Sequence, residues 1–124
     1  MKLAIFVFSD PATGGDESLG RLFNALALAS ESAGAGDDVS IVFAGAGTRW
    51  PAVLARPAHP ARALYESVRP FVAGVSCACS EIFGARLEAE SCGIPQLTEH
   101  ALAGTSGLAS ARAYLAAGYT TLVF

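Results

Sequence analysis

The sequence has few of the features that mark nucleic-acid or membrane proteins. Only 15% of its 124 residues are charged, a single lysine is present, and the formal net charge is −3. Binding to phosphates requires clustered basic side chains, so we expect no nucleic-acid partner. No apolar run approaches the roughly 18 residues of a membrane span, because Arg21 and Asn24 interrupt the richest stretch, residues 19–29. We therefore expect a soluble protein without a membrane association.

Cysteine is also scarce. The three cysteines are Cys77, Cys79 and Cys92, an odd number that argues against a framework of disulfides. The apolar run at the amino terminus is short and ends in Ser9-Asp10-Pro11, so it is typical of a first strand and not of a signal peptide. These features predict reduced thiols in a cytoplasmic protein.

Metal and phosphate motifs are missing as well. A Cys-x-Cys pair with a distant His100 lacks the ligand spacing of structural zinc sites, and we predict no metal. The Walker pattern is absent. The loop at Thr13-Gly14-Gly15 has the backbone freedom to hold a flavin phosphate, but Asp10, Asp16 and Glu17 would repel one, and we predict no cofactor.

Strands and helices are predicted to alternate along one domain, residues 1–124. Apolar runs predict strands at 2–8, 39–44, 71–76, 94–97 and 119–124. Helical periodicity predicts helices near 16–34, 61–69, 80–92 and 107–117, while Gly45 to Pro51 is predicted to be a mobile loop. This order predicts an α/β fold, an open five-stranded parallel sheet with helices on both faces.

Ligands of such sheets bind at the carboxyl ends of the strands. Cys92 lies one helix beyond this edge and is expected near the opposite one. The candidates that the predicted loops bring to the carboxyl edge are Asp10, Thr13, Arg49, Trp50, Cys77, Cys79, Ser80, Glu99 and His100.

Two of these candidates are thiols at a predicted junction of a strand and a helix. A helix amino terminus favours a thiolate, the reactive form of cysteine. If Cys77 and Cys79 are both extended, they face the same side and share a pocket. We favour Cys79, which lies nearer the helix start and solvent. The alternative is that both are small buried hydrophobic residues.

The other candidates have supporting roles with simpler alternatives. His100, with Glu99, is a candidate base or hydrogen-bond partner for a thiol, or a loop histidine without a role. Arg49 is suited to hold an anion. Trp50 is expected to wall the pocket or, preferably, to pack in an oligomer contact, and His59 to face solvent.

The order of these segments resembles the DsrE-like proteins of sulfur relay and sulfur oxidation. The segments are the first strand with its Asp-Pro and glycine loop, the alanine- and leucine-rich first helix, Phe43 to Trp50, the cysteine after the third strand, and Gly118 to Phe124. The segment Gly45 to Trp50 is especially similar to a small, stand-alone, uncharacterised branch. The resemblance covers nearly the whole chain.

This resemblance implies a fold close to the flavodoxin type and a homo-oligomer, often a trimer or hexamer. In active members a cysteine near the end of the third strand accepts sulfane sulfur as a persulfide and passes it between donor and acceptor proteins. That cysteine matches Cys77 or Cys79, since the Cys-x-Cys offers two. Members without the cysteine are thought to be non-catalytic subunits. The expected function is a sulfur carrier or sulfurtransferase; the alternatives are an oligomeric scaffold subunit and a small-molecule or flavin binder.

Overall fold

The computed structural model describes residues 1–124 as an α/β domain built on one five-stranded sheet. The strands are β1 (Lys2–Val7), β2 (Asp38–Phe43), β3 (Val72–Ser76), β4 (Gln96–Leu97) and β5 (Thr120–Val123). Every pair of neighbouring strands is parallel, and the order is β4-β3-β2-β1-β5. The predicted open parallel sheet is confirmed. The chain advances from β1 to β4 in one direction and then crosses back past β1 to form β5.

Six α-helices connect or flank the strands. They are α1 (Gly15–Gly34), α2 (Trp50–Leu54), α3 (Arg62–Val68), α4 (Cys77–Ile82), α5 (Arg86–Ser91) and α6 (Ala111–Ala116), with 3-10 turns at Gly45–Arg49 and Arg69–Phe71. None of these helices is long and apolar enough to cross a membrane.

The two faces of the sheet are covered unequally. On one face, side chains such as Ile5, Ile41 and Phe43 pack against α1, α2, α3 and α5 in a core of 17 buried residues. On the other face, only Ala4, Phe6, Val42 and Ala44 form a buried cluster, covered by α6 and the segment before it. We call this second side the thin face. It leaves Phe8 46% and Val123 66% exposed at the carboxyl ends of β1 and β5.

The segment from Gly45 to Pro51 is helical, contrary to the predicted mobile loop. Thr48 Oγ1 donates to the carbonyl oxygen of Gly45 at 2.8 Å and closes the 3-10 turn. Gly47 lies so close to β1 that an added Cβ would stand 2.1 Å from the carbonyl oxygen of Val7. Glycine in this segment allows the backbone to pack closely against β1. A high glycine content is compatible with a flexible loop as well as with a tightly packed turn, so composition alone does not distinguish the two.

Two predicted helices have different bounds. The helix predicted near 80–92 begins three residues earlier, at Cys77, and is broken into α4 and α5 around Gly84, whose φ is +67°. The helix predicted from about residue 107 begins at Ala111, because Ser110 Oγ accepts a hydrogen bond from the Ala113 N–H and caps it. Gly107, at φ +93°, belongs to the preceding loop.

Candidate functional site

The helix α4 begins directly at the end of β3 and fixes both thiols of the Cys-x-Cys pair. Residues two apart in a helix are separated by about 200° around its axis, so they point to nearly opposite sides. Cys77 and Cys79 therefore do not share a pocket, which corrects the expectation based on an extended chain.

Cys77 is closed to solvent. The residue is 2% exposed, and its Sγ lies 4.0 Å from Glu81 Oε1, to which the thiol donates. Burial raises the pKa of the Cys77 thiol, and the Glu81 carboxylate raises it further against the opposing effect of Arg86. The expected activation by a helix terminus is therefore outweighed at this thiol.

Cys79 has a different environment. It is partly exposed and lines a cavity of about 210 Å³ that opens on the thin face. Most of the lining is apolar and includes no charged side chain. The other lining residues are Phe6, Phe8, Ala44, Ser76, Leu108, Ala109, Ala111, Thr121 and Val123. Cys79 is thus the thiol of the pair that a small molecule can reach.

Few polar groups meet in this cavity. Ser76 Oγ accepts a hydrogen bond from the Ala109 N–H at 3.1 Å. Thr121 Oγ1 is buried and has no hydrogen-bond partner. No side chain donates to or accepts from the Cys79 thiol, so nothing in the cavity resembles a base positioned for proton transfer.

Asp10 and Arg49 form an ion pair at the same edge. Arg49 Nη1 donates to Asp10 Oδ1 at 3.0 Å, and Arg49 Nε donates to the carbonyl oxygen of Phe83 at 3.1 Å. Asp10 also accepts from Thr13 Oγ1 and from the Ala12 N–H. The Thr13 and Ala12 hydrogen bonds and the Arg49 charge lower the pKa of Asp10 to about 2. An ionised carboxylate here disfavours the flavin phosphate that was considered for this loop.

Arg49 lines a separate cleft and not the Cys79 cavity. This cleft of about 330 Å³ lies beside α2 and α5 and includes Arg56 and Glu88. The sequence grouped Arg49, Trp50, Glu99 and His100 with the thiols at one edge, but none of these four residues lines the Cys79 cavity. The residues that line this cavity with Cys79 come instead from the ends of β1, β2, β3 and β5 and from the segment 108–111.

Trp50 belongs to the core and not to an exposed surface. The residue is 2% exposed, and its indole Nε1–H donates to the carbonyl oxygen of Ser9 at 2.8 Å. His59 packs edge-on against the Trp50 ring, and its Nδ1 accepts from the Ala61 N–H at 3.1 Å. Trp50 is therefore buried within the chain and does not offer the exposed surface that the expected oligomer contact requires. His59 is partly exposed, with its ring packed against Trp50.

The remaining candidates are distributed around the same edge. Glu99 and His100 are exposed, and neither side chain is hydrogen-bonded to a thiol. Glu99 lines a small cavity of about 190 Å³ with Tyr114 and Tyr119, and the backbone of His100 pairs with Leu108. Ser80 is buried, and its Oγ donates to the carbonyl oxygen of Cys77 at 2.7 Å. No group of three or more metal-binding side chains converges.

Cys92 follows α5 and leads into β4, so it lies away from the carboxyl edge. Its carbonyl oxygen accepts a hydrogen bond from Arg69 Nη2 at 2.7 Å. Cys92 is partly exposed and packs against the main core.

Sequence reasoning missed Ser76, Leu108 and Thr121 as lining residues. Thr121 follows an alternation along β5 that places it with Val123 on one face, a signal that identifies the face but not the cavity. Comparisons of the chain with protein-family models, with curated proteins and with solved structures found no match.

Proposed function

We propose that the protein carries sulfane sulfur on Cys79. The observation that supports this proposal best is that Cys79, unlike Cys77, lines a cavity at the carboxyl edge of the sheet. This edge is where open parallel sheets bind their ligands. The resemblance of the sequence to DsrE-like proteins, in which a cysteine after the third strand carries sulfur, favours the same residue.

The proposed step is a transfer of one sulfur atom without net oxidation or reduction. The Cys79 thiolate attacks the outer sulfur of a donor persulfide, R–S–SH. A sulfur–sulfur bond to Cys79 forms while the bond within the donor breaks, and the donor leaves as R–S⁻. The product is a Cys79 persulfide, and an acceptor thiolate removes its outer sulfur by the same exchange.

The lining of the cavity suits such a cargo. Side chains such as Phe8, Leu108 and Val123 give the cavity that Cys79 lines an apolar wall. Sulfur is polarisable and packs favourably beside aromatic and aliphatic groups.

Mass spectrometry of the protein after incubation with a persulfide donor tests this proposal. We expect a gain of about 32 Da on the peptide that contains Cys79 in the wild type. The same gain is expected in Cys77→Ser and Cys92→Ser but not in Cys79→Ser. In a parallel control, the same donor is incubated with a low-molecular-weight thiol, and formation of that thiol's persulfide shows that the donor transfers sulfur. A wild-type protein that gains no sulfur on Cys79 from that donor contradicts the carrier function.

A second candidate function is assembly into a homo-oligomer that serves as a binding or scaffold subunit. The observation that favours it is the sparse cover of the thin face, where Phe8 and Val123 are exposed, with Leu115 59% exposed on α6. Exposed apolar patches on a soluble chain are typical of surfaces that contact another molecule. We propose that a second copy of the chain contacts this face.

Sedimentation of variants with one new charge tests the assembly. Val123→Lys on the thin face is expected to shift the protein to monomer, because burial of an unpaired charge disfavours the contact. Leu87→Lys is the matched control, since Leu87 is 77% exposed on α5. Wild-type protein that sediments as a monomer at micromolar concentration contradicts this candidate. Cys79→Ser is expected to leave the assembly unchanged.

A further inference from the structure

A second cavity, of about 190 Å³, lies beside α6 and shares no lining residue with the Cys79 cavity. Its lining residues are Glu99, Ser110, Ala113, Tyr114, Ala117 and Tyr119. The Glu99 side chain is exposed and takes part in none of the six ion pairs of the chain. No lysine or arginine lines the cavity. The lining therefore has one carboxylate and no positive charge to offset it.

The two tyrosine rings of this cavity are held in place by contacts within the chain. The Tyr114 hydroxyl shares a hydrogen bond with Ser40 Oγ at 2.7 Å, and the Tyr119 hydroxyl donates to Asp38 Oδ2 at 2.7 Å. The two ring centroids lie 5.2 Å apart, and the ring planes stand at 83° to each other. Because the rings are already fixed, a ligand that packs against them does not have to order them first.

The Tyr119 ring already contacts one cation that belongs to the chain. Lys2 Nζ lies 4.8 Å from the centroid of this ring and donates to the carbonyl oxygen of Ala117 at 2.8 Å. The faces of tyrosine rings attract such charges. Lys2 does not line the cavity, and Asp38, its partner in the register of β1 and β2, brings a compensating carboxylate to the same end of these strands. The Glu99 charge is thus left for a cation from outside the chain.

The acceptors in the cavity indicate which kind of cation fits. A protonated amine has three N–H groups that need acceptors when they leave water. Both tyrosine hydroxyls are engaged, and Ser110 Oγ already accepts from the Ala113 N–H. The other surfaces are alanine side chains and tyrosine rings. An ammonium group whose hydrogens are replaced by methyl groups needs no such acceptors and places apolar carbon against these surfaces.

The volume of the cavity is compatible with a group of this kind. An apolar cavity of about 150 Å³ holds benzene, and this one measures about 190 Å³. A trimethylammonium group has a bulk similar to that of benzene and therefore fits.

We propose that this cavity binds the alkylated ammonium group of a small organic cation, with Glu99 as the counter-charge and the rings of Tyr114 and Tyr119 as the contact surface. Charge complementarity and ring surface together select this ligand over an anion or a neutral molecule. The binding involves no thiol and is independent of sulfur transport on Cys79.

Two probes of nearly equal shape test the proposal on the full, isotope-labelled chain. Choline has a trimethylammonium group, and neohexanol has a carbon atom in place of the charged nitrogen. Amide chemical shifts follow each titration, and choline chloride replaces sodium chloride so that the ionic strength stays constant. Choline is expected to shift the signals of α6 and Tyr119 in a saturable way. It is expected to bind at least about tenfold more tightly than neohexanol.

Variants identify the groups that bind the probe. Glu99→Gln is expected to weaken choline about tenfold and to leave neohexanol unchanged. Glu88→Gln is the matched control, because Glu88 is an exposed carboxylate on α5 that also forms no ion pair, and it is expected to change neither affinity. Tyr114→Leu removes a ring and is expected to abolish choline binding, whereas Tyr114→Phe keeps the ring and is expected to retain it. Circular dichroism shows whether each variant is folded.

Three results would overturn the proposal. The first is the absence of a saturable shift with millimolar choline, which means that water or a second copy fills the cavity. The second is an equal affinity of the wild type for choline and neohexanol. The third is an unchanged affinity of Glu99→Gln for choline. Sulfur uptake on Cys79 is measured separately, so failure of the carrier function and failure of this site are distinguishable.

Discussion

Cys77 and Cys79 lie on opposite sides of α4, one 2% exposed beside Glu81 and the other at the wall of an apolar cavity. A single intervening residue separates them, yet the helix directs one thiol into the interior and the other toward the thin face. The pair is consequently two unlike sites and not one dithiol.

The first prediction concerns the rates at which the thiols are alkylated. Cys77 is expected to react with iodoacetamide at least about 100-fold more slowly than Cys79, because labelling requires local opening and a thiolate that burial disfavours. Peptide mapping of the native protein at intermediate times measures both rates. Cys92, which is partly exposed, is the internal reference. Equal labelling of Cys77 and Cys79 would contradict the burial described for Cys77.

The second prediction concerns Gly47. A Cβ at this position would stand 2.1 Å from the carbonyl oxygen of Val7 in β1, so Gly47→Ala forces backbone to move. We expect a loss of more than about 2 kcal/mol in the free energy of unfolding. Gly20→Ala in α1, where a Cβ meets nothing within 4 Å, is expected to gain about 0.5–1 kcal/mol. Urea denaturation of the two variants gives the comparison, and a neutral Gly47→Ala would be the opposing result.

The third prediction concerns the ion pair of Asp10 and Arg49. Asp10→Asn removes the charge that holds Arg49 Nη1 at 3.0 Å and is expected to cost about 1–2 kcal/mol at pH 7. The matched control is Asp16→Asn, which replaces an exposed carboxylate in the first turn of α1. This variant is expected to change the free energy of unfolding by at most about 0.5 kcal/mol.

The same carboxylate has a defined pH dependence. Hydrogen bonds from Thr13 and Ala12 and the charge of Arg49 lower the pKa of Asp10 from 3.8 to about 2 in the folded protein. The ionised Asp10 carboxylate therefore contributes on the order of 2 kcal/mol to the free energy of unfolding. This contribution is fully present above pH 4 and disappears as the pH falls toward 2. Denaturation as a function of pH is expected to show this acid-dependent loss in wild type but not in Asp10→Asn. Parallel curves for the two proteins would refute the assignment.

The fourth prediction concerns His59. Burial lowers the pKa of His59 from its ordinary value of 6.5, with a smaller effect from Arg56, so the folded state favours the neutral ring. As the pH falls, His59 takes up a proton in the unfolded chain before it does so in the folded protein. The free energy of unfolding is therefore expected to fall as the pH drops below about 6.5. His59→Asn keeps an acceptor near Nδ1 without a titrating group and is expected to remove this slope between pH 7 and 5. His100→Asn, a substitution at an exposed position, is expected to leave this pH dependence of stability unchanged.

The sequence predicted the fold more completely than the site. Continuous apolar runs such as Lys2 to Phe8 identified the strands, because strands buried on both faces cannot alternate. The start of α4 was missed because no side-chain cap marks it. The Ala78 N–H donates instead to the carbonyl oxygen of Gly107, in a loop about thirty residues later, so a distant backbone contact sets the position of the helix.

Local sequence also cannot distinguish a glycine that is flexible from one that is tightly packed. Gly45-Ala46-Gly47 has the composition of a mobile loop, yet contact with β1 orders it and holds Trp50 in the core. The predicted site grouped Arg49 with the thiols because both lie at one edge, whereas Arg49 faces a different cleft.

The alternation of apolar runs with helical patterns determined by itself that the chain forms an open parallel sheet and that Cys77 and Cys79 lie near its carboxyl edge. Only the tertiary structure decided that Cys79 and not Cys77 faces a cavity, and that Thr121 shares it. The reason is that strand and helix periodicities are local, while the rotation of α4 and the floor of the cavity depend on contacts between segments far apart in the chain.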